Sequence, residues 1–555
     1  MNAAPFRIVT CALLAATAQT LPRLAPAQVG AWSRLVMPGS IDDDSARLTS
    51  ITSAASLPYS LLRSASTLTP QLPGDSTSIR IGLILPDGYT IYNTTLPYSL
   101  NDGWLWAGRG LSSRLRAGLL VQTRRVSLVF APEVYRSDNL SFRMPPDWVT
   151  LPRPPGRSPL ASPWHTTPES IDLPVRFGTR GFSEWDWAQS TLAADFGRIT
   201  AGVSTENEWW GPGIRNAIVL STNAAGIPRV FVRPTRPIAT RAGIFDFRLF
   251  GGALTESPYF DTTRADDWRS ISAFAVTWTP RPAPNVTLGF ARAVYGPVSS
   301  LFRAPTRLLD ALIRNPGRPS NHLPGDTVVV PGRDQVFSLF GRWAFPGAGF
   351  EVYAEWARTE LPTSLRDLLT APNHTQGYTL GLQWAQPTGS ESTTRVQLET
   401  TYLEKSATLR DRPVGEWYTS RAVPQGYTNR GQVIGAAIGP GASSQWVAVD
   451  YFAQRWSTGV FASRIRWDGD ALYRFPTTNV RGTPNKWCSH DTSVLLGLRG
   501  VLRGDFGLLE VSGDVELRRN VFFEQRSVCG RDMDPRDGHD ATNGTIEIRF
   551  TPPLP

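Results

Sequence analysis

The stretch Phe506-Gly-Leu-Leu-Glu-Val-Ser-Gly-Asp-Val-Glu-Leu-Arg518 alternates apolar and polar side chains. Leu509, Val511, Val515 and Leu517 share one face, and Glu510, Ser512, Asp514, Glu516 and Arg518 share the other. A period of two is the signature of an extended strand with one face in an apolar medium and one in a polar medium. The pattern recurs in Phe350–Arg358, where Phe350, Val352, Ala354 and Trp356 oppose Glu351, Tyr353 and Glu355. It recurs again in Tyr378–Trp384, where Tyr378, Leu380, Leu382 and Trp384 oppose Thr379, Gly381 and Gln383. Such segments continue through several hundred residues with no helical interlude. A single sandwich needs only about a hundred residues, so the pattern predicts one large closed barrel, apolar outside and wet inside, in a membrane.

The connections test this. Transmembrane barrels join strands by short turns on the periplasmic side and long loops outside. Read back from the carboxyl terminus, Thr545–Phe550 descends, 519–543 is long, Phe506–Arg518 ascends, and Arg503-Gly504-Asp505 is a tight turn. Long loops at 469–490, 404–444, 359–376 and 297–335 then alternate with short turns near Ser457, at Pro387–Ser392 and at Pro346–Gly349. Solubility imposes no such parity. Earlier strands are expected at Ile79–Leu85, Leu115–Ala131, Thr191–Phe196, Ile199–Ser204, Ala217–Thr222, Arg229–Arg233, Ile244–Phe250, Ile271–Trp278 and Val286–Tyr295. Proline density makes Met144–Pro168 a long loop. Ile546, Ile548 and Phe550 alternate to a late aromatic, as in the sorting signal of such barrels, although Thr551–Pro555 extends past it.

The amino terminus supplies an address. Arg7 precedes the apolar run Ile8–Ala18, and Ala25-Pro26-Ala27 is a small-x-small cleavage site, so residues 1–27 read as a cleaved signal peptide. Residues 28–75 read as a small periplasmic helical element. Ser40 caps Asp42, Asp43 and Asp44, Leu48, Ile51 and Ala55 share a face, and Pro58 stops the helix. A second short helix is expected to include Tyr59–Arg63. Residues 76–555 form the barrel. The expected location is the outer membrane of a Gram-negative-type bacterium, with outer-membrane lipid as a partner. Mean hydropathy is −0.20, which a barrel and a large soluble β protein share.

The net charge of +9 comes almost wholly from arginine, Lys405 and Lys486 being the only lysines. A basic surface concentrates acidic partners; secretion argues against nucleic acid, leaving anionic polysaccharide and lipopolysaccharide, while genome composition or a barrel lumen laced with arginine and carboxylates accounts for the same excess. Past the signal, the remaining cysteines are Cys488 and Cys529, both in long polar loops, and an oxidising compartment makes a disulfide between them plausible chemistry.

Catalysis finds little support. Glu206 and Glu208 beside Trp209 and Trp210 suggest a glycosidase pair, but two residues apart on one extended face they do not straddle a scissile bond. The five histidines (His165, His322, His374, His490 and His539) fall in loops with no serine one strand position away. Asp532, Asp534, Asp537, His539 and Asp540 cluster in the last loop, but their spacing fails the EF-hand pattern. No metal and no cofactor is expected. The 19 tryptophans suit girdles at the bilayer interfaces; in outer loops their rings suit stacking on sugars, and Trp417 and Trp487 are the candidates.

The segment Thr205-Glu206-Asn207-Glu208-Trp209-Trp210-Gly211-Pro212-Gly213, followed by Arg215-Asn216-Ala217-Ile218 and Leu220–Ala224, resembles the signature of the capsule assembly Wzi family. Asp172–Gly178, Gln189-Ser190 and Gly251–Ser257 are similar to its flanking strands, and the likeness runs over roughly residues 40 to 550. The resemblance implies an outer-membrane barrel of about eighteen antiparallel strands with a small helical bundle at the periplasmic mouth. It implies a non-catalytic lectin that attaches capsular polysaccharide or exopolysaccharide at the cell surface, with the polysaccharide export machinery as a further partner. Trp417, Trp487, Arg412 and Arg421 are the expected polysaccharide contacts, and Glu206–Gly213 with Arg215 and Asn216 the structural or binding motif. A porin or transporter of the same fold is the alternative, and a surface hydrolase a third class.

Overall fold

The computed structural model describes residues 28–53, 59–73, 78–146, 150–166, 169–313, 332–362, 364–406, 415–473, 490–524 and 539–554. The expected signal peptide at 1–27 lies outside them, as do Arg412, Trp487, Cys488, Cys529, His322, Asp532, Asp534 and Asp537.

The strands close into an antiparallel barrel of 18 staves. In chain order they are β1 (Arg80–Asn93), β2 (Gly110–Gln122), β3 (Val126–Phe130 with Glu133–Ser137), β4 (Phe182–Asp186 with Thr191–Asp195), β5 (Ile199–Ser204) and β6 (Arg229–Pro234 with Ile238–Thr240). Next come β7 (Gly243–Thr255), β8 (Trp268–Pro280), β9 (Val286–Pro297), β10 (Asp334–Phe345), β11 (Phe350–Arg358) and β12 (Gln376–Pro387). The last six are β13 (Thr393–Tyr402), β14 (Ser443–Phe452), β15 (Trp456–Trp467), β16 (Asp491–Gly504), β17 (Gly507–Arg519) and β18 (Ala541–Thr551). Three staves are split, one of them at Ala131-Pro132, where proline withholds a ladder donor. The ring shuts where β18 pairs with the second half of β1, Thr545 opposite Asn93 and Phe550 opposite Gly88. The N-terminal strand Gln28–Ser33 runs parallel to the first half of β1 and covers the edge that β18 leaves.

Parity holds around the whole ring. Short turns at 123–125, 196–198, 241–242, 281–285, 346–349, 388–392, 453–455 and 505–506 lie at one end, and every other connection is long. Outward residues on the alternating strands are exposed, among them Val515 (53%), Leu517 (54%) and Ile546 (52%), whereas Glu516, Glu351 and Thr379 face a packed interior. Trp343, Trp384, Trp456 and Phe550 are exposed next to the short turns, an aromatic ring at one interface. No helix among the described residues is long and apolar enough to cross a membrane.

Three expected elements differ. Leu115–Ala131 is not one strand but parts of two staves, β2 and β3, joined by the short turn at 123–125, because both strands of a tight hairpin carry similar apolar content. Ala217–Thr222 is not a stave; it lies in the long β5–β6 loop, with Trp210 and Leu220 forming one isolated bridge. Its apolar run is buried on every side inside the bore, and a buried plug segment looks like a buried strand in sequence. Tyr59–Arg63 is not helical either: Leu62–Ser64 is a strand paired antiparallel with Glu208–Trp210, and a one-turn helix, Ala65–Leu68, follows. The main N-terminal helix, α1 (Ile41–Thr52), starts as expected at Ser40, whose hydroxyl accepts from the Asp43 amide at 3.4 Å.

Candidate functional site

The bore is occupied by the chain itself. Wall residues Phe250, Ile271, Ala273, Tyr295, Val336 and Phe340 form one buried apolar cluster with Trp210, Ile218, Val219 and Leu220 of the β5–β6 loop and Tyr418, Val423, Tyr427 and Ile434 of the β13–β14 loop. Two long loops therefore fold inward and meet a wall whose lumenal face is apolar at that level. Tyr418 donates to the Ile218 carbonyl at 2.9 Å and Tyr427 to the Val219 carbonyl at 2.7 Å, so the two loops lock together.

The Glu206–Gly213 segment joins this plug to the N-terminal segment. The Glu206 carboxylate accepts from the Ser66 amide (2.8 Å) and hydroxyl (2.9 Å). Asn207 donates its amide to Gln189 Oε1 and its Nδ2 to the Ala224 carbonyl. Glu208 accepts from Trp210 Nε1 at 2.6 Å and from Arg229 at 2.7 Å. Trp209 donates to the Gly213 carbonyl at 3.0 Å, with the Arg63 guanidinium 5.6 Å from its ring centroid. Gly211 takes φ +107°, a conformation open to glycine, and its missing side chain lets the turn approach the Glu355 carboxylate.

Beyond Pro212 the backbone wraps a wall carboxylate. The amides of Ile214, Arg215 and Asn216 donate to Glu399 at 2.5, 3.0 and 2.9 Å, and Tyr353 adds a fourth bond at 2.8 Å. The Ile218 amide donates to Glu355 at 3.2 Å. From below, Arg47 of α1 bonds the Pro212 carbonyl and Glu351, each at 2.7 Å. Ile51 packs on Ala344 and Ala385, lumenal residues near the short turns, which seats α1 inside the short-turn mouth of the barrel. Asp43 accepts from Arg63 at 2.8 Å, and Asp44 pairs with Arg395 at 2.7 Å. Glu206 and Glu208 are thus committed to internal partners, and their geometry is that of a brace.

A chamber of about 370 Å³ lies between α1, the motif loop and the staves β13–β18 and β1–β3. Its polar wall includes Tyr89, Asp102, Asp514 and Glu547, and its aromatic wall Trp209 and Trp446. Arg215 lies 4.4 Å above the Trp446 ring, which itself stacks on Phe461 at 4.7 Å. Phe452, Ser457, Val501 and Glu510 line its lower end, beside the short turns.

Of the expected sugar contacts, Trp417 and Arg421 are among the described residues, and neither lines this chamber. Trp417 is 2% exposed, donates from Nε1 to the Gln376 carbonyl at 3.0 Å and packs at the plug, so it offers no open face to an exterior sugar; an outer-loop position did not mean an outward side chain. Arg421 is partly exposed and pairs with Glu169 at 3.2 Å, linking the β13–β14 and β3–β4 loops. Nearby, His165 sits between two carboxylates, Glu416 at 2.8 Å from Nδ1 and Asp468 at 2.7 Å from Nε2. Burial alone would lower its pKa, but the two carboxylates outweigh that and push it up to about 9. The two carboxylates bond opposite ring nitrogens, so the trio clasps three outer loops; taken one ligand atom each, the three residues lie within 4.8 Å of one another. The lumenal anchors Arg47, Glu351, Glu355 and Glu399 escaped sequence reading. Their polar-face positions were visible, but the contacts by which they hold the helix and the motif loop span 137 to 304 residues.

Fold and interior together define a class: a closed 18-stranded barrel of the outer-membrane kind whose bore is filled by its own N-terminal segment and inward-folded loops. Among solved structures, the chain is similar to Wzi of Escherichia coli, described as an outer membrane protein involved in group 1 capsule assembly and a carbohydrate binding β-barrel. The TM-score is 0.50, with 10% identity over 84% of each chain. It also matches OccK2 (OpdF) of Pseudomonas aeruginosa (TM-score 0.39, 7% identity, covering 85% of this chain and 97% of that one). A BenF-like porin of Pseudomonas fluorescens Pf-5 matches with TM-score 0.37 and 8% identity, covering 85% of this chain and 98% of that one. No family model matches the sequence, and no curated protein matches it significantly. At 10% identity the likeness to Wzi shows the barrel fold alone.

Proposed function

We propose that this barrel attaches capsular polysaccharide or exopolysaccharide at the outer face of the outer membrane, without catalysis and without conducting it. The observation that carries the reading is the apolar cluster spanning the bore from wall to loop. A conducting pore needs a continuous wet path, whereas a lumen filled to this extent suits a protein that works by its surface. In this reading Arg412, Arg421 and Trp487 of the outer loops contact the glycan. Trp417 and the Glu206–Asn216 segment hold those loops in place. Positive net charge favours an acidic polymer, delivered by export machinery. Cys488 and Cys529, if bonded, would staple two of the loops.

The competing reading, a porin or transporter, draws on the polar chamber beside α1. One pair of measurements separates them. The detergent-solubilised protein is tested for retention on immobilised acidic capsular polysaccharides, and the same preparation is reconstituted in planar bilayers. Polysaccharide retention that drops in Trp487→Ala, with no stepwise conductance, is the expected result. Stepwise conductance without retention of any glycan would establish the porin.

A further inference from the structure

Residues 301–313 of the β9–β10 loop do not enter the bore. Residues 301–313 form two 3-10 turns, Leu301–Arg303 and Pro305–Arg307, and a short helix, Asp310–Ile313, and lie against the outside of the barrel. Register fixes the side. Ile271 and Tyr295 belong to the lumenal core, so Ser272 and Arg292, one and three positions away, face outward. Ser272 donates to the Leu308 carbonyl at 2.7 Å and accepts from the Ala311 amide at 2.9 Å. Arg292 donates to the Ala311 carbonyl at 3.0 Å and to Gln335, also outward, at 2.7 Å. Gly251 faces outward as well, and a Cβ there would stand 2.9 Å from the Leu308 Cα. The segment is therefore strapped directly onto the wall. It covers a serine, an arginine and a glutamine on a face that elsewhere carries Leu288, Leu339 and Trp343.

The strap's own outer face is apolar. Phe302 is 55% exposed, Leu309 50%, Leu312 47% and Ile313 70%, all above the neighbouring wall residue Leu288 (45%), with Phe302 and Ile313 also above Leu339 (51%). Asp310 is turned inward and pairs with Arg333 at 3.1 Å, while Arg303 and Thr306 remain exposed at the other end. Apolar residues continuous with a lipid-facing belt, no outward carboxylate, and an arginine able to reach headgroups are the marks of an interfacial segment. We propose that residues 301–313 are seated in the outer leaflet. There Phe302, Leu309, Leu312 and Ile313 contact acyl chains and Arg303 reaches lipid phosphate. The strap replaces polar wall by apolar surface, completing the lipid-facing belt over β7–β10. This rests on the barrel alone and is independent of any glycan.

The test uses the unaltered chain in phosphatidylethanolamine–phosphatidylglycerol vesicles carrying a diazirine on the acyl chain. Photolabelled peptides are then mapped by mass spectrometry. Labelling of Leu308–Ile313 to the level of the β10 peptide containing Leu339, with none at the 505–506 turn, is expected. Labelling confined to the strands would overturn the proposal, whether water or another protein covers the strap. A spin label at Ile313→Cys, with Cys488→Ser and Cys529→Ser, gives a second readout. Oxygen collision matching a Leu339→Cys label supports the proposal; nickel-chelate collision matching an Asp505→Cys label refutes it.

Discussion

At Glu399 a buried wall carboxylate accepts three consecutive backbone amides and a tyrosine hydroxyl, the bonds from Asn216 and Tyr353 being fully buried. Leaving a buried donor without an acceptor costs roughly 1–3 kcal/mol. Glu399→Leu is therefore expected to destabilise the folded state by about 3 kcal/mol or more, read as a lower urea midpoint by tryptophan fluorescence in detergent. A midpoint within error of wild type would mean the loop does not depend on this anchor. His165 makes a prediction of opposite character. Its folded pKa, about 9, lies above its usual value, so the protonated ring stabilises the folded loops. That contribution is complete below pH about 6.5 and is lost as pH rises through about 9. It amounts to at most about 3 kcal/mol. The wild-type thermal midpoint should fall between pH 6.5 and 9, and His165→Gln should flatten that stretch of the profile.

At the scale of elements, α1 is tied by Arg47 to the Pro212 carbonyl and Glu351, by Asp43 to Arg63, and by Asp44 to Arg395. Its apolar contact is small, Ile51 with Ala344 and Ala385, so charge and hydrogen bonds carry the docking. Arg47→Met removes the link to the motif turn while Arg342 and Gln383 still partner Glu351. Trypsin supplied from the periplasmic side should cut after Arg34 faster in the variant, with the barrel core undigested. Equal rates would show that the remaining pairs suffice. The capping signal of α1 was legible because it is local: Ser40 and three aspartates within four positions. The strand at Leu62–Ser64 was not, because its partner is Glu208–Trp210, some 140 residues on, and three residues carry no period of their own.

For the whole molecule, closure by the ladder between β18 and β1 leaves no free stave edge at the seam, since Gln28–Ser33 covers the remainder. The barrel should migrate as a compact species on unheated SDS gels and shift only on heating; a single unfolded band at all temperatures would contradict closure. A second expectation follows from the charge of +9. Retention of an acidic polysaccharide should weaken as ionic strength rises from about 0.01 to 1 M, because screening shortens from about 30 to 3 Å. Salt-independent retention would place the recognition in uncharged contacts.

Sequence by itself determined the barrel, its lipid-facing residues and the sidedness of its connections. Alternation records the solvent on each face and loop length records the side of the membrane, and both are written in near neighbours along the chain. Tertiary structure alone decided which loops turn into the bore, which one lies along the outer wall, and that Trp417 is buried. Those outcomes depend on whether distant groups such as Glu399, Glu355 and Ser272 supply partners for a loop's backbone. A buried amide is satisfied by whatever acceptor the fold brings within reach, and no local period encodes it.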